Sequence, residues 1–148
     1  MVMGVAQFER LFRHAAGLDI DKSDLRRLED FINEELHGLL LMAQRLAKMN
    51  GRDVITEADV PLTKGLQESM HQFRELNEDV PVKGILEKLA KLPPLDLAIG
   101  EDVEEMLPDL AGGMVISLAK VFKVIDPDMK NPQTEHWEKV KRIYELLV

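Results

Sequence analysis

The chain contains no cysteine. This absence excludes disulfide bonds, iron–sulfur clusters, thiolate zinc sites and cysteine nucleophiles, and it suits a reducing compartment. Long apolar runs are missing too, because the longest one, Leu39–Ala43, is far shorter than the roughly 20 residues of a membrane-spanning helix. The first residues lack the basic start and apolar core of a signal peptide. We therefore expect a cytoplasmic protein that does not span a membrane.

An excess of basic charge is also lacking. The chain has 19 Lys and Arg residues against 27 Asp and Glu residues, which gives a net charge of −8. The overall charge thus argues against nucleic-acid binding, which would need a local basic patch. Hydrophobic residues make up 45% and charged residues 31% of the 148 positions, and this mixture predicts a single folded globular domain.

Apolar residues recur at three- and four-residue steps along most of the chain, which predicts amphipathic helices. The predicted helices cover about residues 3–15, 22–49, 56–76, 82–91, 101–125 and 132–147. Asn131 is the expected cap of the last helix and Pro132 its first residue. Strand signals are confined to Leu18–Ile20, Val54–Ile55 and Asp96–Ile99. The sequence therefore predicts an all-α fold.

A medium–long–medium order of predicted helices occurs twice, over about residues 3–76 and 82–147. Gly38 lies near the middle of the first long helix, and Gly112 and Gly113 lie near the middle of the second. A glycine inside a helix costs about 1 kcal/mol relative to alanine. The placement predicts that the two long helices cross closely at these glycines. Two tolerated interior glycines are the alternative.

The segment after the first long helix carries the most specific motif, Asn50-Gly51-Arg52-Asp53-Val54-Ile55-Thr56-Glu57-Ala58-Asp59-Val60. Arg52, the β-branched pair that follows it and Asp59 resemble the second loop and third helix of the histone fold. A guanidinium at Arg52 can reach back to a carboxylate at the start of the next helix. We therefore expect Arg52 and Asp59 to form a structural clamp.

The chain as a whole resembles the bacterial family of uncharacterised double-histone-fold proteins. The resemblance implies tandem histone folds, each a short–long–short helix unit, that form an intramolecular pseudo-dimer. It implies a single compact domain over residues 1–148, with a first unit at 1–77 and a second unit at 78–148. In the second unit, Asp126 and Gln133 occupy the positions of Arg52 and Asp59. That unit is therefore expected to be degenerate.

Two functions of different classes follow from the resemblance. Histone folds serve as dimerisation and interaction modules, and they also bind the DNA backbone without reading bases. The candidate phosphate contacts are Arg10, Arg13, Lys22, Lys48, Arg52, Lys123 and Lys130. Acidic residues lie beside these basic ones and oppose phosphate binding. We therefore expect a protein-interaction module, with a protein partner or a second copy, and we keep DNA binding as the alternative.

Enzymatic and metal-binding signals are weak. Glu34 with His37, and Glu68 with His71, have the Glu-x-x-His spacing of di-iron bundles. At about 100° per residue, however, the two glutamates lie opposite the apolar stripes of their helices, where they face solvent. We expect no metal and no cofactor, with a carboxylate–histidine metal bundle as a remote alternative. The chain has no Gly-rich phosphate loop, Gly-x-Ser-x-Gly or His-Glu-x-x-His motif, so no enzyme is expected.

Overall fold

The computed structural model describes residues 5–79 and 94–147. These ranges contain five α-helices: α1 (Val5–Ala16), α2 (Lys22–Met49), α3 (Lys64–Asp79), α4 (Glu101–Ile125) and α5 (Thr134–Leu147). They also contain a short 3-10 helix (Glu57–Asp59) and two strands, β1 (Val54–Ile55) and β2 (Ala98–Ile99). The prediction of a mainly helical chain is confirmed. The helix predicted over 82–91 lies outside the described residues.

Helix α2 begins and ends where the sequence predicts. The Asp21 carboxylate accepts the backbone N–H of Asp24 at 3.0 Å, and the Asp24 carboxylate accepts the backbone N–H of Asp21 at 3.0 Å. This reciprocal pair is a capping box that fixes the helix start. Beyond the other end, Gly51 has a φ of 71°, a left-handed conformation that glycine adopts without strain. The 28-residue helix therefore has a defined start and a defined end.

Helix α3 starts later than predicted. Thr56 precedes only the three-residue 3-10 helix, and Val60 after it is extended, with φ −75° and ψ 115°. The cause is Pro61, because a proline ring disfavours the helical conformation of the residue before it. The helix begins only at Lys64. The prediction of one continuous helix from Thr56 is therefore wrong.

Helix α5 also starts later than predicted, at Thr134 rather than Pro132. The Gln133 carbonyl accepts the backbone N–H of Trp137 at 3.1 Å. The backbone N–H of Gln133 donates to Nδ1 of His136 at 2.9 Å. These two bonds make Gln133, and not Asn131, the cap of the helix.

Helix α4 lies at the centre of the core, and buried side chains follow it from Val103 to Phe122. Helix α3 packs along α4 in the antiparallel direction. Near one end of α3, Arg74 contacts Asp109 at 3.3 Å. Near the other end, Leu66 and Val121 line the same cavity. The two glycines in the middle of α4 allow this close packing.

The glycines of α4 bring α3 close, rather than α2. A Cβ atom on Gly112 would collide with the ring of Phe73, and one on Gly113 would lie 3.1 Å from the backbone nitrogen of Met70. Gly38 is exposed, and a Cβ atom there would meet nothing within 4 Å. The predicted crossing of the two long helices at Gly38 is therefore wrong. The glycine pair in α4 has a packing role, whereas Gly38 has none within the described chain.

Helix α5 runs along α2 in the same direction. The side chain of Trp137 bonds to that of Asp24, and seven residues further along each helix the ring of Tyr144 meets the ring of Phe31 edge-on at 4.9 Å. Helix α3, by contrast, is antiparallel to α4. The last helix of each half therefore packs differently, and the two halves are not structural copies of each other.

The loops of the two halves pair at both ends of α2. After its C-terminus, β1 pairs with β2 in parallel, with Val54 opposite Ala98 and Ile55 opposite Ile99. Before its N-terminus, the backbone N–H of Asp19 donates to the carbonyl of Lys130 at 2.6 Å. We call these two places the β1–β2 end and the Asp19–Lys130 end. Extended structure was also predicted for Leu18–Ile20, which forms this backbone bond but no strand.

Candidate functional site

The paired loops are the candidate functional site, because most of the predicted phosphate contacts lie beside them. At the β1–β2 end, Nζ of Lys48 contacts the Asp96 carboxylate at 2.8 Å. The hydrogen bond and the charge of Lys48 together lower the pKa of Asp96. Lys48 is thus already paired with an anion from the other half of the chain.

Arg52 also lies at the β1–β2 end, where its side chain contacts Asp59. Its guanidinium donates to one carboxylate oxygen of Asp59, a residue that is only 2% exposed. The other oxygen of Asp59 accepts the backbone N–H of Thr56 at 2.8 Å and the Thr56 hydroxyl at 3.1 Å. The structure therefore places Arg52 and Asp59 together, and their contact closes the loop around β1.

Two further side chains at the β1–β2 end were not predicted from the sequence. Buried Gln44 accepts the backbone N–H groups of Asp96 and Leu97 at 2.7 and 3.0 Å through its amide oxygen. Asp102 accepts the backbone N–H of Glu57 at 2.9 Å. A polar residue beside the apolar stripe of α2 was the available signal for Gln44, whereas nothing local indicates the partner of Asp102. Both bonds tie the first half of the chain to the second.

Two of the five candidate basic residues at the Asp19–Lys130 end hold the loops themselves. Arg13 contacts Asp19 at 3.5 Å. Lys123 donates to the carbonyls of Pro127 and Met129 at 3.2 and 2.7 Å. Arg10, Lys22 and Lys130 are exposed, and they form no ion pair with any residue in the two described ranges. Three of the seven candidate phosphate contacts therefore remain available.

A small polar cleft of about 200 Å³ opens at the Asp19–Lys130 end. Asp19, Asp21 and Asp24 line it together with Arg27, whose guanidinium donates to the Thr134 hydroxyl at 2.6 Å. Three carboxyl groups beside one engaged guanidinium make the cleft unfavourable for a phosphate. The geometry of this end suits a loop-to-loop contact better than an anion site.

Two neighbouring carboxyl groups at this end differ in pKa because they differ in burial. Asp21 is exposed, and its hydrogen bond with Ser23 lowers its pKa. Asp24 is 5% exposed, and this burial raises its pKa, although hydrogen bonds from Asp21 and Trp137 act in the opposite direction. Asp24 is consequently the more easily protonated of the two.

The glutamates and histidines with di-iron spacing do not come together. Glu34 contacts Lys141 at 3.5 Å, Glu68 lies 3.9 Å from Lys64, and Nε2 of His71 lies 3.0 Å from Glu75. Within the described part of the chain, no group of three or more His, Asp or Glu side chains is arranged to hold a metal ion. In the same residues, no helix combines the length and the apolar character that crossing a membrane requires.

The comparisons with known proteins give a family and no activity. The family described as "Domain of unknown function (DUF1931)" matches residues 8–145. An uncharacterized protein from Aquifex aeolicus (strain VF5) is 29% identical over 140 residues, which cover 95% of this chain and 81% of the relative. A protein from Thermus thermophilus, known from a crystal structure, superposes with a TM-score of 0.87 at 53% identity, with both chains fully covered at 100%. A second crystal structure, of an Aquifex aeolicus protein, gives a TM-score of 0.85 at 27% identity, again over 100% of both chains.

Proposed function

We propose a function from the premise that this chain belongs to the DUF1931 family of domains of unknown function: it is a non-catalytic protein-interaction module with a double histone fold. In this arrangement, residues 1–77 and 78–148 are two histone-fold units that pair as an intramolecular pseudo-dimer. Pairing within one chain no longer depends on protein concentration. The outer surface is then left for a partner.

Reciprocal loop pairing supports the double fold. The loop after α2 pairs with the loop before α4 through β1 and β2, and the loop before α2 bonds to the loop after α4 through Asp19 and Lys130. Two units that pair head to tail are expected to form two such contacts, one at each end. The different packing of α3 and α5 fits a second unit that has diverged from the first.

Most of the candidate phosphate-binding cations already have partners within the chain, and this observation favours an interaction module over DNA binding. Arg13, Lys48 and Arg52 each contact a carboxylate, and Lys123 holds two backbone carbonyls. Phosphate binding would have to break these contacts, and the net charge of −8 would repel the phosphate backbone.

A second copy of this chain is the partner that the surface fits best. Glu34, Gly38, Leu41 and Arg45 are all exposed and recur at three- and four-residue steps on one face of α2. Two antiparallel copies of α2 centred between residues 39 and 40 bring Gly38 opposite Leu41. They also bring Glu34, whose exposed carboxylate contacts Lys141 at 3.5 Å within its own chain, opposite Arg45. Such a face is self-complementary in both shape and charge, as a two-fold interface requires.

Light scattering coupled to size-exclusion chromatography, over a range of protein concentrations, tests the interaction. We expect a monomer–dimer equilibrium that Arg45→Glu weakens by at least about tenfold, and that the double variant Glu34→Arg/Arg45→Glu restores. Arg26→Glu, an exposed change on another face of α2, is the matched control. A chain that stays monomeric at every concentration contradicts self-association through α2.

Fluorescence anisotropy with a labelled DNA duplex tests the alternative. We expect no saturable binding at about 50 mM salt, because most loop cations are engaged. Binding that falls steeply as salt rises, and that is lost when Lys22 and Lys130 are both changed to Glu, would replace the interaction module with a DNA-binding function.

A further inference from the structure

A cavity of about 300 Å³ lies where the start of α3, the second half of α4 and the end of α5 meet, away from the paired loops. Its walls include the apolar side chains of Leu66, Val121 and Ile143. Apolar walls with a few convergent polar groups characterise small-molecule sites, and about 300 Å³ is the lower end of their usual size. The cavity is therefore suited to a small ligand.

The hydroxyl of Ser69 has no partner among the residues that the structure describes. Ser69 is 3% exposed and lines the cavity, and it forms no hydrogen bond within the described ranges. In those ranges no completely enclosed side-chain oxygen or nitrogen is left unbonded, so the Ser69 hydroxyl opens toward the cavity. Buried polar groups are nearly always hydrogen-bonded to protein, water or a ligand. The bond that Ser69 lacks has to be supplied from the cavity.

A second pair of hydroxyl groups lies in the same cavity. The oxygens of Ser117 and Tyr144 are 3.1 Å apart, and Ser117 also bonds to the carbonyl of Met114 at 3.0 Å. Burial raises the pKa of Tyr144 to about 12, so its hydroxyl keeps its proton at neutral pH. Together with Ser69, the buried part of the cavity presents hydroxyl groups and no carboxylate.

The charge around the opening favours an anion. Lys120 is the basic residue of the lining, and the one lining carboxylate, Glu68, lies 3.9 Å from the ammonium group of Lys64. The first turn of α3 also borders the cavity and contains no acidic residue. Thr63 accepts the backbone N–H groups of Leu66 and Gln67, whereas those of Lys64 and Gly65 carry the partial positive charge of a helix N-terminus. An anionic head group is therefore stabilised from two directions.

We propose that this cavity binds a small aliphatic carboxylate, with its alkyl chain along Leu66, Val121 and Ile143 and its carboxylate toward Ser69 and Lys120. The apolar walls select the chain, and the ammonium and hydroxyl donors select the charged end. This site goes beyond the proposed interaction function, because it is separate from the α2 face and from both loop pairs. Its test therefore succeeds or fails independently of dimerisation.

Amide chemical shifts in ¹H–¹⁵N spectra of the full chain, titrated with octanoate, provide the test. We expect saturable shifts centred on Gly65, Ser69 and Val121, with a dissociation constant of about a millimolar or tighter. Octan-1-ol, which lacks the charge, is expected to bind about tenfold more weakly. Acetate, which lacks the chain, is expected to produce no saturable shift in the same range.

Variants test separately the part of the site that binds the carboxylate and the part that binds the alkyl chain. Lys120→Gln and Ser69→Ala are each expected to weaken octanoate binding several-fold, and Lys120→Gln is expected to leave octan-1-ol binding unchanged. Val121→Trp, which fills the cavity, is expected to abolish both. Lys139→Gln removes an exposed charge outside the cavity and is expected to change neither.

Three results would overturn the proposal. The first is the absence of saturable shifts around the cavity at octanoate concentrations of tens of millimolar, well above the expected dissociation constant. The second is equal binding of octanoate and octan-1-ol, which would remove the role of Lys120. The third is a set of cavity shifts that depends on protein concentration without any ligand, because a second copy would then occupy the site.

Discussion

The indole N–H of Trp137 donates a 2.9 Å hydrogen bond to the carboxylate of Asp24, a residue 113 positions earlier in the chain. Both residues are buried, at 2% and 5% exposure. The bond joins the first turn of α5 to the first turn of α2, beside the loops that meet at Asp19 and Lys130. It makes the capping carboxylate of one half depend on the last helix of the other.

Trp137→Phe is expected to destabilise the protein by about 2 kcal/mol at neutral pH, since it removes a hydrogen bond to a buried carboxylate. The pKa of Asp24 is expected to rise further, because the bond from Trp137 now lowers it. Chemical denaturation and a carbon-detected NMR titration of Asp24 measure the two effects. In an Asp24→Ala background the same change should cost less, and an unaltered Asp24 pKa would contradict the role of the bond.

Glu35→Gln is expected to stabilise the protein at pH 7 by about 0.5 kcal/mol, a value kept small because Glu35 is only half-buried. Burial raises the pKa of Glu35, and Glu145 and Glu34 add to this effect. The native state therefore holds this proton to a higher pH than the unfolded state. The stability contributed by Glu35 is present below its ordinary pKa and is lost as pH rises through the folded-state pKa.

Denaturant titrations of both proteins at pH 7 and near pH 4 check this sign. The advantage of Glu35→Gln should shrink toward the lower pH, where Glu35 itself is protonated. Glu138→Gln, an exposed change on α5, is the control. An advantage of the same size at both pH values would mean that it arises from something other than ionisation.

Gly38→Ala and Gly112→Ala are expected to have opposite effects on stability. Alanine at position 38 meets open space and gains about 1 kcal/mol of helix propensity. Alanine at position 112 collides with the ring of Phe73, and overpacking of this kind costs about 2 kcal/mol. Thermal unfolding at dilute, monomeric concentration measures both. Destabilisation by Gly38→Ala would reveal a close contact at that position after all.

Arg52→Met is expected to destabilise the protein by about 2 kcal/mol, because it leaves the buried Asp59 carboxylate without its cation. The arginine side chain is 41% exposed, so the loss is smaller than for a fully buried pair. In a double-mutant cycle, Asp59→Asn combined with Arg52→Met should cost less than the sum of the single changes. Strict additivity in urea denaturation would show that the contact contributes no coupling.

Local signals in the sequence predict the long helices well. Both α2 and α4 match their predicted bounds, because sustained periodicity is combined with clear end signals, such as the carboxylates before α2 and Asp126-Pro127 after α4. Thr56 and Asp59 form the capping pattern of a helix start, but Pro61 follows them and α3 begins only at Lys64. Proline overrides capping here, since it acts directly on the backbone of Val60.

Contacts between distant segments could not be predicted in this way. The partners of Gln44, Asp102 and Trp137 lie in the other half of the chain, and no periodicity encodes them. The glycines illustrate the same limit. Their positions indicated a close helix contact, but only the packing of α3 shows that Gly112 and Gly113 make it and that Gly38 does not.

The pairing of β1 with β2, and of Asp19 with Lys130, determines when the protein can fold during its synthesis. When residues up to 79 have left the ribosomal exit tunnel, Met70 and Phe73 are outside it before the α4 glycines that pack against them. The β1–β2 pair cannot close until Ile99 has left the exit tunnel, and the Asp19–Lys130 pair cannot close until Lys130 has left it. We therefore expect a nascent chain of this length to acquire protease resistance in one late step rather than half by half.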